Sequence, residues 1–466
     1  MDYIIINEKD NVGVRLVGDE KIPTGHKFAL SDIKKGEYII KYGEVIGRAT
    51  DDIKKDEWVH SHNVASHLDE DFSYTYNYCA RELQKTEGYF NGYLRSDGSA
   101  GIRNEIYIIP TVGCVNDVCI RLAKAAQGLI CGSIDGIFAL THQFGCSQLG
   151  EDNENIKKLL CATVLNPNAS FVLFVGLGCE NNTLDGIKED LAPFGRDNIA
   201  YFKCQEVDDE HEYGLEIIKD FVDRAKDLRR EKLPLSKLTI GLKCGGSDAF
   251  SGLTANPLLG RISDRLISAG GSAILTEVPE MFGAEQILMN QCKSVDVFDR
   301  YKKLIEDFKD YYKKQGFPVY ENPSPGNKAG GITTLEEKSL GCIKKAGESA
   351  IVDVLDYGEL RRKEGLSVLN APGNDLIAST ALAAAGCQMV LFTTGRGTPF
   401  STFVPTMKIA TNEALATKKS NWIDFCAYSM DEDGLFDLIL KTASGEYACI
   451  SEDVREIAFF KTGVTL

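Results

Sequence analysis

The stretch EIYIIP (Glu105–Pro110) decides the fold of this chain. It is a compact apolar run, and three similar runs follow it: GIFAL (136–140), SFVLFV (170–175) and NIAYFK (198–203). A segment with the apolar spacing of a helix follows each of them. Short apolar strands that alternate with helical segments are typical of a parallel sheet with crossover helices. The pattern therefore predicts an α/β domain, and a charged helical segment ends it near Pro234.

The same alternation restarts beyond that segment. The runs KLTIGLK (237–243), SAILTEV (272–278), LSVLNA (366–371) and CQMVLFT (387–393) have the composition of buried strands. We therefore predict two α/β domains, a middle domain over residues 105–234 and a larger C-terminal domain over residues 235–466.

The chain before residue 105 has a different character. DIKKGEYIIKYG (32–43) is echoed by DIKKDEWVHSHN (52–63), and each copy leads from a turn into a short strand of β-branched and aromatic residues. This echo predicts a small β module over residues 1–75. The polar, tyrosine-rich stretch that follows has no clear periodicity, and we predict a linker over residues 76–104.

Composition excludes several classes of function. The chain has 466 residues and a formal net charge of -16, which disfavours binding to nucleic acid or to an anionic membrane surface. The apolar run at the N-terminus is too short for a signal peptide, and no stretch approaches the roughly 20 apolar residues of a membrane helix. We therefore expect a cytoplasmic protein. None of the 14 cysteines forms a CxxC pair, so zinc ribbons and thioredoxin motifs are excluded.

Three of the six histidines lie in VHSHNVASH (59–67). In an extended segment, His60 and His62 would project from one face and could share a substrate, a proton or a metal. The alternative is a solvated loop. Asn63 follows directly and is a candidate substrate ligand.

Cysteines follow the predicted strands with unusual regularity, at Cys114, Cys146, Cys179, Cys204 and Cys244. Ligands of open parallel sheets bind at the carboxyl ends of the strands. Thiolates would favour iron or an iron–sulfur cluster, whereas carboxylates and imidazoles would suit mononuclear Fe(II) or Mn(II). The candidate metal ligands are Cys146, Cys179, Glu180, Cys244, Asp248 and Asp375.

Two later motifs, LNAPGNDLIAST (369–380) and FTTGRGTPF (392–400), also follow strands. Asn374, Asp375, Arg396 and the nearby Lys408 offer an amide, a carboxylate and two cations, a suitable set for an acid sugar and a metal. A dinucleotide is disfavoured, because Asn181 stands where the third glycine of the dinucleotide-binding motif belongs.

These motifs resemble the altronate dehydratase and galactarate dehydratase family, whose relatives include two-chain sulfolactate sulfo-lyases. IPTGHKFAL, KYGEVIGRA and VHSHN look like its N-terminal SAF-type β-clip module, and GYLRSDGSAGIRN, TVGC, HQFGC and LGCE like its middle domain. GGSDAFSGLTANPLLG, LNAPGND, FTTGRGTPF and PTMKIATN match its C-terminal domain. The resemblance implies a Rossmann-like parallel sheet in that last domain, which binds metal and no dinucleotide.

The resemblance also implies an activity. Members dehydrate an aldonic or aldaric acid to its 2-keto-3-deoxy product, depend on ferrous iron or a similar metal such as Mn2+, and form homo-oligomers. D-altronate is the expected substrate; galactarate, a sulfolactate-type substrate and sugar-acid binding without catalysis are the alternatives. The chain departs from the family pattern at Ser99, where arginine is usual, and at Ser401, where glycine is usual.

A mechanism follows as a hypothesis. His60 and His62 would reach the cleft of an α/β domain as acid/base group and substrate contact, while Arg396 and Lys408 would hold the carboxylate. A mononuclear Fe(II) bound by Asp and Glu oxygens is the first expectation for the metal. Iron or a cluster held by Cys146, Cys179 and Cys244 is the second.

Overall fold

The computed structural model describes residues 2–68, 73–319 and 322–466, so five residues of the predicted module 1–75 (1 and 69–72) lie outside the described part. The N-terminal module contains seven short strands in two antiparallel sheets, ordered β1-β2-β3-β6 and β4-β5-β7. They are β1 (Tyr3–Ile4), β2 (Val12–Arg15), β3 (Lys27–Ala29), β4 (Tyr38–Lys41), β5 (Glu44–Ala49), β6 (Trp58–Val59) and β7 (Val64–Ala65). The expectation of a small β module is confirmed.

The two copies of the repeated sequence lie against each other. Ile33 and Ile53 form an antiparallel bridge in which each backbone N–H donates to the other's carbonyl at 2.8 Å. The aspartate that opens each copy accepts a hydrogen bond from a lysine N–H of the other, at 2.9 and 3.0 Å. The sequence echo therefore has a structural counterpart, a locally two-fold pairing that closes the module.

The middle domain has a four-stranded parallel sheet, ordered β11-β10-β12-β13, with a separate antiparallel sheet, ordered β14-β8-β9, beside it. The strands are β8 (Tyr89–Leu94), β9 (Ala100–Gly101), β10 (Glu105–Pro110), β11 (Gly136–Ala139), β12 (Ala169–Gly176), β13 (Ile199–Lys203) and β14 (Glu231–Pro234). The helices are α1 (Asn116–Ala126), α2 (Gly150–Val164), α3 (Leu184–Leu191) and α4 (Glu210–Ala225). All four predicted apolar runs form the parallel sheet, but two strands, β8 and β9, lie within the predicted linker 76–104.

The C-terminal domain has seven parallel strands, ordered β17-β18-β16-β15-β19-β20-β21. They are β15 (Thr239–Cys244), β16 (Ser272–Leu275), β17 (Ile351–Leu355), β18 (Leu366–Leu369), β19 (Met389–Thr394), β20 (Thr406–Ala410) and β21 (Phe425–Cys426). The helices are α5 (Ala255–Ser268), α6 (Glu285–Met289), α7 (Val295–Lys314), α8 (Pro325–Ala329), α9 (Leu335–Cys342), α10 (Asp375–Ala384), α11 (Glu413–Lys418) and α12 (Glu432–Ala443). The four runs predicted as strands are adjacent here, and the Rossmann-like α/β expectation is confirmed.

The two α/β domains share one hydrophobic core. Side chains of the middle sheet and α2, such as Ile109 and Leu159, belong to the same buried cluster as Leu355 and Leu382 of the C-terminal domain. Helix α2 packs on α10, and Asn166 just beyond α2 donates to the carbonyl of Ala383 in α10 at 2.8 Å and to that of Cys387 just after the helix at 2.9 Å. The two sheets are thus held side by side rather than joined by a flexible linker.

The last residues of the chain connect the carboxyl edges of both sheets. The N–H of Phe460 donates to the hydroxyl of Tyr357, just after β17, at 2.9 Å, and the N–H of Leu466 donates to the carbonyl of Ser147, in the loop after β11, at 2.9 Å. In the three described ranges, we find no helix with the length and apolar character that crossing a membrane requires.

Candidate active site

A cleft of about 510 Å³ opens at the carboxyl edge of the C-terminal sheet. Three of its walls are the loops after the adjacent strands β15, β16 and β18, and α8 and α9 close the fourth side. Its lining includes Gly245, Gly246, Ser247, Pro279, Glu280, Ser324, Asn327, Lys338, Gly373, Asn374 and Asp375. Polar groups from separate loops converge there, as expected where ligands bind to open parallel sheets.

The loop after β15 requires its two glycines. A Cβ on Gly245 would lie 2.5 Å from both carboxylate oxygens of Asp375, and Gly246 has a left-handed backbone with φ of 59°. Glycine therefore lets this loop approach the start of α10. Asp375, which the sequence analysis selects, lines the cleft for this reason.

Buried lysines and carboxylates alternate beneath the cleft. Lys243 pairs with Glu277 and, at 2.9 Å, with Asp375. Lys345 also pairs with Glu277. All four groups belong to one network, which neutralises the charges that the fold removes from water. Sequence reasoning missed its lysines and glutamates, since none of them stands in a recognisable spacing.

Glu280 lies beside this network and, like Asp375, lines the cleft. Its Oε1 accepts a hydrogen bond from Lys338 Nζ at 2.8 Å. Burial alone would raise the pKa of Glu280, but the three lysine ammonium groups around it hold the pKa at about 2. Glu280 is therefore a permanent anion, suited to orienting Lys338 and ill-suited to accepting a proton.

Two buried cysteines meet Glu280 at the base of the cleft. Cys244 Sγ lies 3.4 Å from Cys342 Sγ, and Glu280 Oε2 lies 3.6 and 3.2 Å from these two sulfurs. Among the residues that the structure describes, this is the one group of three potential metal ligands whose atoms all lie within 4.8 Å. Cys342 was missed by sequence reasoning, because it ends a helix rather than following a strand.

Cys244, Cys342 and Glu280 offer the ligand atoms that a soft divalent metal prefers, but the groups around them do not fit a bound metal ion. Lys345 Nζ lies 2.9 Å from Cys244 Sγ, and Lys338 occupies the other oxygen of Glu280. Two ammonium groups already supply the positive charge that a metal ion would bring, and they would repel it. The two sulfurs and the Glu280 carboxylate are therefore part of an ion-pair network that Lys338 and Lys345 complete.

The other carboxylates chosen from the sequence as metal ligands do not meet in one place. Asp248 is buried and accepts hydrogen bonds from Ser251, Thr411 and Asn412. Glu180 lies in the middle domain and accepts hydrogen bonds from Thr111 Oγ1 at 2.7 Å and from the N–H of Gly178 at 2.6 Å. Their oxygens are thus committed to holding loops. Within the described chain, Asp248, Glu180 and Asp375 form no group with ligand atoms within 4.8 Å.

Cys146, Cys179 and Cys244 are likewise not brought together as ligands of one ion. Cys244 is buried under the C-terminal cleft, whereas Cys146 and Cys179 are exposed on the middle domain. Within the described residues, the three sulfurs do not form a group within 4.8 Å.

The module presents its histidines on the turn after β6. Asn63 shapes this turn, because its Oδ1 accepts from the N–H of His60 and its Nδ2 donates to the carbonyl of Trp58, both at 2.9 Å. The His60 ring stacks on Trp58 at 5.2 Å between centroids, and His62 is exposed on the other flank of the indole at 5.4 Å. Asn63, chosen as a substrate ligand, has both polar groups engaged in the turn.

A further histidine, which the sequence analysis missed, connects this turn to the cleft. The ring of His26 lies 5.0 Å from that of His60, and its Nε2 lies 3.4 Å from the carbonyl of Ala329 at the end of α8. The same short helix carries Asn327, which lines the cleft. In the histidine patch of His26, His60 and His62, His26 therefore contacts the helix that walls the cleft, and none of the three rings is among the residues that line the cleft.

Burial controls the charge of this patch. Burial, assisted by the nearby Lys27 ammonium and His26, lowers the pKa of His60 to about 4, and burial also lowers the pKa of His26. Both rings are neutral at neutral pH. A neutral imidazole is able to accept a proton, although the lowered pKa makes His60 a weaker base than a free imidazole.

The cationic candidates differ sharply in location. Arg396 is exposed at the rim of the cleft, where its guanidinium donates to the carbonyl of Gly326 at 3.1 Å; no carboxylate in the described ranges lies within 4.0 Å of it. Asn374 caps α10 and lines the cleft. Lys408 is fully buried in β20, donates to Ser451 Oγ at 2.6 Å and does not line the cleft. Of the two predicted carboxylate-binding cations, the structure places Arg396 alone at the cleft.

A buried histidine outside the cleft gives the fold a measurable acid sensitivity. Burial lowers the pKa of His142 to about 4, and its Nε2 lies 2.7 Å from the carbonyl of Pro110. Since unfolded histidine titrates near 6.5, the unfolded state binds more protons between these values, and stability falls as the pH drops through this window. We expect His142→Gln to remove about 2 kcal/mol of the stability difference that urea denaturation measures between about pH 7.5 and about pH 5. Equal pH dependence in wild type and variant would contradict this assignment.

Comparison with known proteins agrees with this architecture along the whole chain. Three family models match successive parts of the chain. The model described as "Altronate/galactarate dehydratase SAF domain" matches residues 14–67, and "D-galactarate dehydratase/Altronate hydrolase, second domain" matches residues 92–226. The model described as "D-galactarate/Altronate dehydratase, C-terminal" matches residues 235–465. The chain belongs to the altronate/galactarate dehydratase family. It is accordingly a hydro-lyase with an N-terminal SAF domain.

Relatives of this family match over nearly their full length. The altronate dehydratase of Bacillus subtilis (strain 168) is 50% identical over 100% of this chain and 99% of its own. That of Escherichia coli (strain K12) is 46% identical over 100% of both chains. The galactarate dehydratase (L-threo-forming) of Escherichia coli (strain K12) is 32% identical over 97% of this chain and 94% of its own.

The two departures from the family pattern lie away from the cleft. Ser99 lines a different, smaller cleft of about 300 Å³, together with Gly386 and Gln388 at the amino edge of the C-terminal sheet. Ser401 is fully buried and donates to the carbonyl of Thr402 at 3.3 Å. Neither serine lines the carboxyl-edge cleft of this dehydratase-family chain.

Proposed function

We propose that the protein dehydrates D-altronate to its 2-keto-3-deoxy acid. The proposal is carried by one observation, the polar cleft at the carboxyl edge of the C-terminal sheet with the exposed guanidinium of Arg396 at its rim. The choice of altronate over galactarate is supported by the higher identity to the two altronate dehydratases.

The reaction removes a proton from C2 and hydroxide from C3, which together leave as water, and the resulting enol becomes the ketone by taking a proton at C3. Arg396 binds the substrate carboxylate, since a guanidinium matches a carboxylate with two parallel hydrogen bonds. Asn374 uses its Oδ1 to cap α10, which leaves its Nδ2 to donate to a hydroxyl. These contacts would fix C2 and C3 at the side of the cleft that α8 forms.

The histidine patch supplies proton transfer in this proposal. His60, neutral because it is buried, accepts the C2 proton, and the exposed His62 gives a proton to the departing hydroxyl. Asn63 acts as a positioning residue, because both of its hydrogen bonds hold the turn that carries the two rings. Lys338 and Glu280 keep a fixed ion pair in the wall of the cleft.

We also propose that the enzyme requires ferrous iron, with Mn2+ as a substitute. Bound iron would act as a Lewis acid on the substrate's carboxylate and hydroxyl oxygens. The carboxylates Asp248, Glu180 and Asp375 do not fit a mononuclear site, because they are dispersed and already engaged. We further propose a cytoplasmic homo-oligomer that acts on a small molecule and binds no nucleic acid; the acidic surface and 14 unpaired cysteines support this.

Arg396→Gln tests the binding role of the guanidinium. We expect kcat/KM for altronate to fall roughly 10- to 100-fold, mainly through a higher KM, because a charge-assisted hydrogen bond to the carboxylate is lost. Arg229→Gln, which removes an exposed arginine from the loop before β14, is the matched control and should leave kcat/KM unchanged. Equal values for the two variants would show that Arg396 does not bind the substrate.

The substrate proposal is tested with a panel of aldonates, aldarates and sulfolactate, given to protein purified without oxygen and supplied with Fe(II) and a thiol reductant. Keto-acid formation fastest from altronate supports the proposal. Preference for galactarate, or release of sulfite from sulfolactate, would replace the proposed substrate, and binding of a sugar acid without turnover would identify a sugar-acid-binding protein.

A further inference from the structure

Three exposed cysteines lie together at the carboxyl edge of the middle sheet, outside the cleft described above. Cys114 follows β10, Cys146 follows β11 and Cys179 follows β12, and β10 lies between the other two strands in the sheet. All three thiols are free and exposed. Residues that follow adjacent parallel strands meet at one edge, so the three cysteines lie at the same edge of the middle sheet.

Hydrogen bonds fasten the three loops to one another directly beside the cysteines. The N–H of Gly113 donates to the carbonyl of Phe144 at 2.9 Å, and the N–H of Asn182 donates to the carbonyl of Gly145 at 3.1 Å. Ser147 N–H donates to Asn181 Oδ1 at 3.0 Å. Each bond involves a residue within three positions of a cysteine, so the three thiols are held on one framework.

Glycine permits this close approach. Gly145 has a φ of 102°, and a Cβ at this position would lie 2.0 Å from the carbonyl oxygen of Thr111. Any side chain would therefore push the Cys146 loop away from the Cys114 loop. Glu180 has a related role, since its carboxylate accepts hydrogen bonds from the N–H groups of Leu177 and Gly178 and so shapes the turn that bears Cys179.

The placement of the three thiols disfavours a single ion, and the charge around them does not oppose a metal cluster. The three sulfurs do not form a group within 4.8 Å among the described residues, which one ion would need. An iron–sulfur cluster binds each thiolate at a different iron, so its ligands stand farther apart. No lysine or arginine in the described ranges donates a hydrogen bond to these sulfurs, in contrast to Lys345 at Cys244.

We propose that Cys114, Cys146 and Cys179 bind a [4Fe–4S] cluster and leave its fourth iron without a cysteine ligand. The C-terminal tail supports a link to the substrate site, because it runs from Tyr357, at the carboxyl edge of the C-terminal sheet, to Ser147 beside Cys146. The role of the open iron in catalysis rests on the proposed function, but binding of the cluster does not.

The test is anaerobic reconstitution of the full-length protein with Fe(II) and sulfide. Wild type should bind about four iron and four acid-labile sulfide per chain. It should develop a broad visible absorption and give the EPR signal of a [3Fe–4S] centre after mild oxidation. Cys114→Ser, Cys146→Ser and Cys179→Ser should each lose most of the sulfide and the absorption. Cys79→Ser and Cys131→Ser remove the other two exposed cysteines, and both should retain the wild-type content.

Circular dichroism melting of each variant separates loss of the cluster from loss of the fold. The proposal would be overturned if the wild type bound no acid-labile sulfide. It would also be overturned if the folded serine variants of Cys114, Cys146 and Cys179 kept the wild-type amounts of iron and sulfide. A wild type that binds the cluster but dehydrates no sugar acid would leave the cluster site standing and contradict the proposed function alone.

Discussion

Replacing Glu337 by glutamine should lower the free energy of unfolding by about 3 to 5 kcal/mol, the cost of removing one partner from a buried ion pair. Glu337 lies at the centre of the contact between the SAF domain and α9. Its carboxylate accepts from Lys27 Nζ at 2.8 and 3.0 Å and from Lys41 Nζ at 2.7 Å, and all three side chains are buried. Glutamine has nearly the same shape but leaves two buried ammonium groups without a countercharge.

Urea denaturation at neutral pH measures this effect. Glu348→Gln is the matched control, because Glu348 pairs with Arg81 on the surface, where both side chains are about two-thirds exposed. A surface ion pair of this kind contributes at most about 1 kcal/mol. Similar losses for the two variants would contradict the conclusion that Glu337 joins the SAF domain to the C-terminal domain.

His62→Ala should reduce kcat about 100-fold or more, since acid–base groups typically contribute at least that factor. The side chain is exposed beside Trp58, so its removal should leave the melting temperature nearly unchanged. The expected loss therefore reflects chemistry rather than folding.

The matched control for His62 is His211→Ala, which removes a histidine from the first turn of α4 in the middle domain and should retain full activity. Initial rates of keto-acid formation at saturating substrate provide the comparison. A His62→Ala enzyme within a few-fold of wild type would exclude His62 as the proton donor.

Local apolar patterns were sufficient to predict most of the architecture. EIYIIP and most of the seven similar runs are strands whose residues are buried on both faces of parallel sheets, whereas the edge strands β11 and β13 are only partly buried. The order of strands in each sheet was not predictable, since it depends on long-range packing such as that of α2 on α10. Strand β8 was missed because its partner β14 is more than 100 residues away in the sequence, and the two-residue strand β9, which pairs with β8, is too short to give a pattern.

The candidate site was predictable where it depends on strand ends. Asn374, Asp375 and Arg396 follow strands and reach the cleft or its rim. Lys408 stands inside β20, so its side chain enters the core instead. Glu280 and Lys338 come from a loop and a helix, and no spacing in the sequence indicates that folding makes them partners.

Dehydration itself is tested most directly by NMR in D2O. Full-length protein, purified anaerobically and shown to contain iron, is incubated with D-altronate and a thiol reductant. We predict a 2-keto-3-deoxy acid with one deuterium at C3, because the enol left by the loss of water takes its new C3 hydrogen from the solvent. Unchanged altronate under these conditions would contradict the assignment of this protein as an altronate dehydratase.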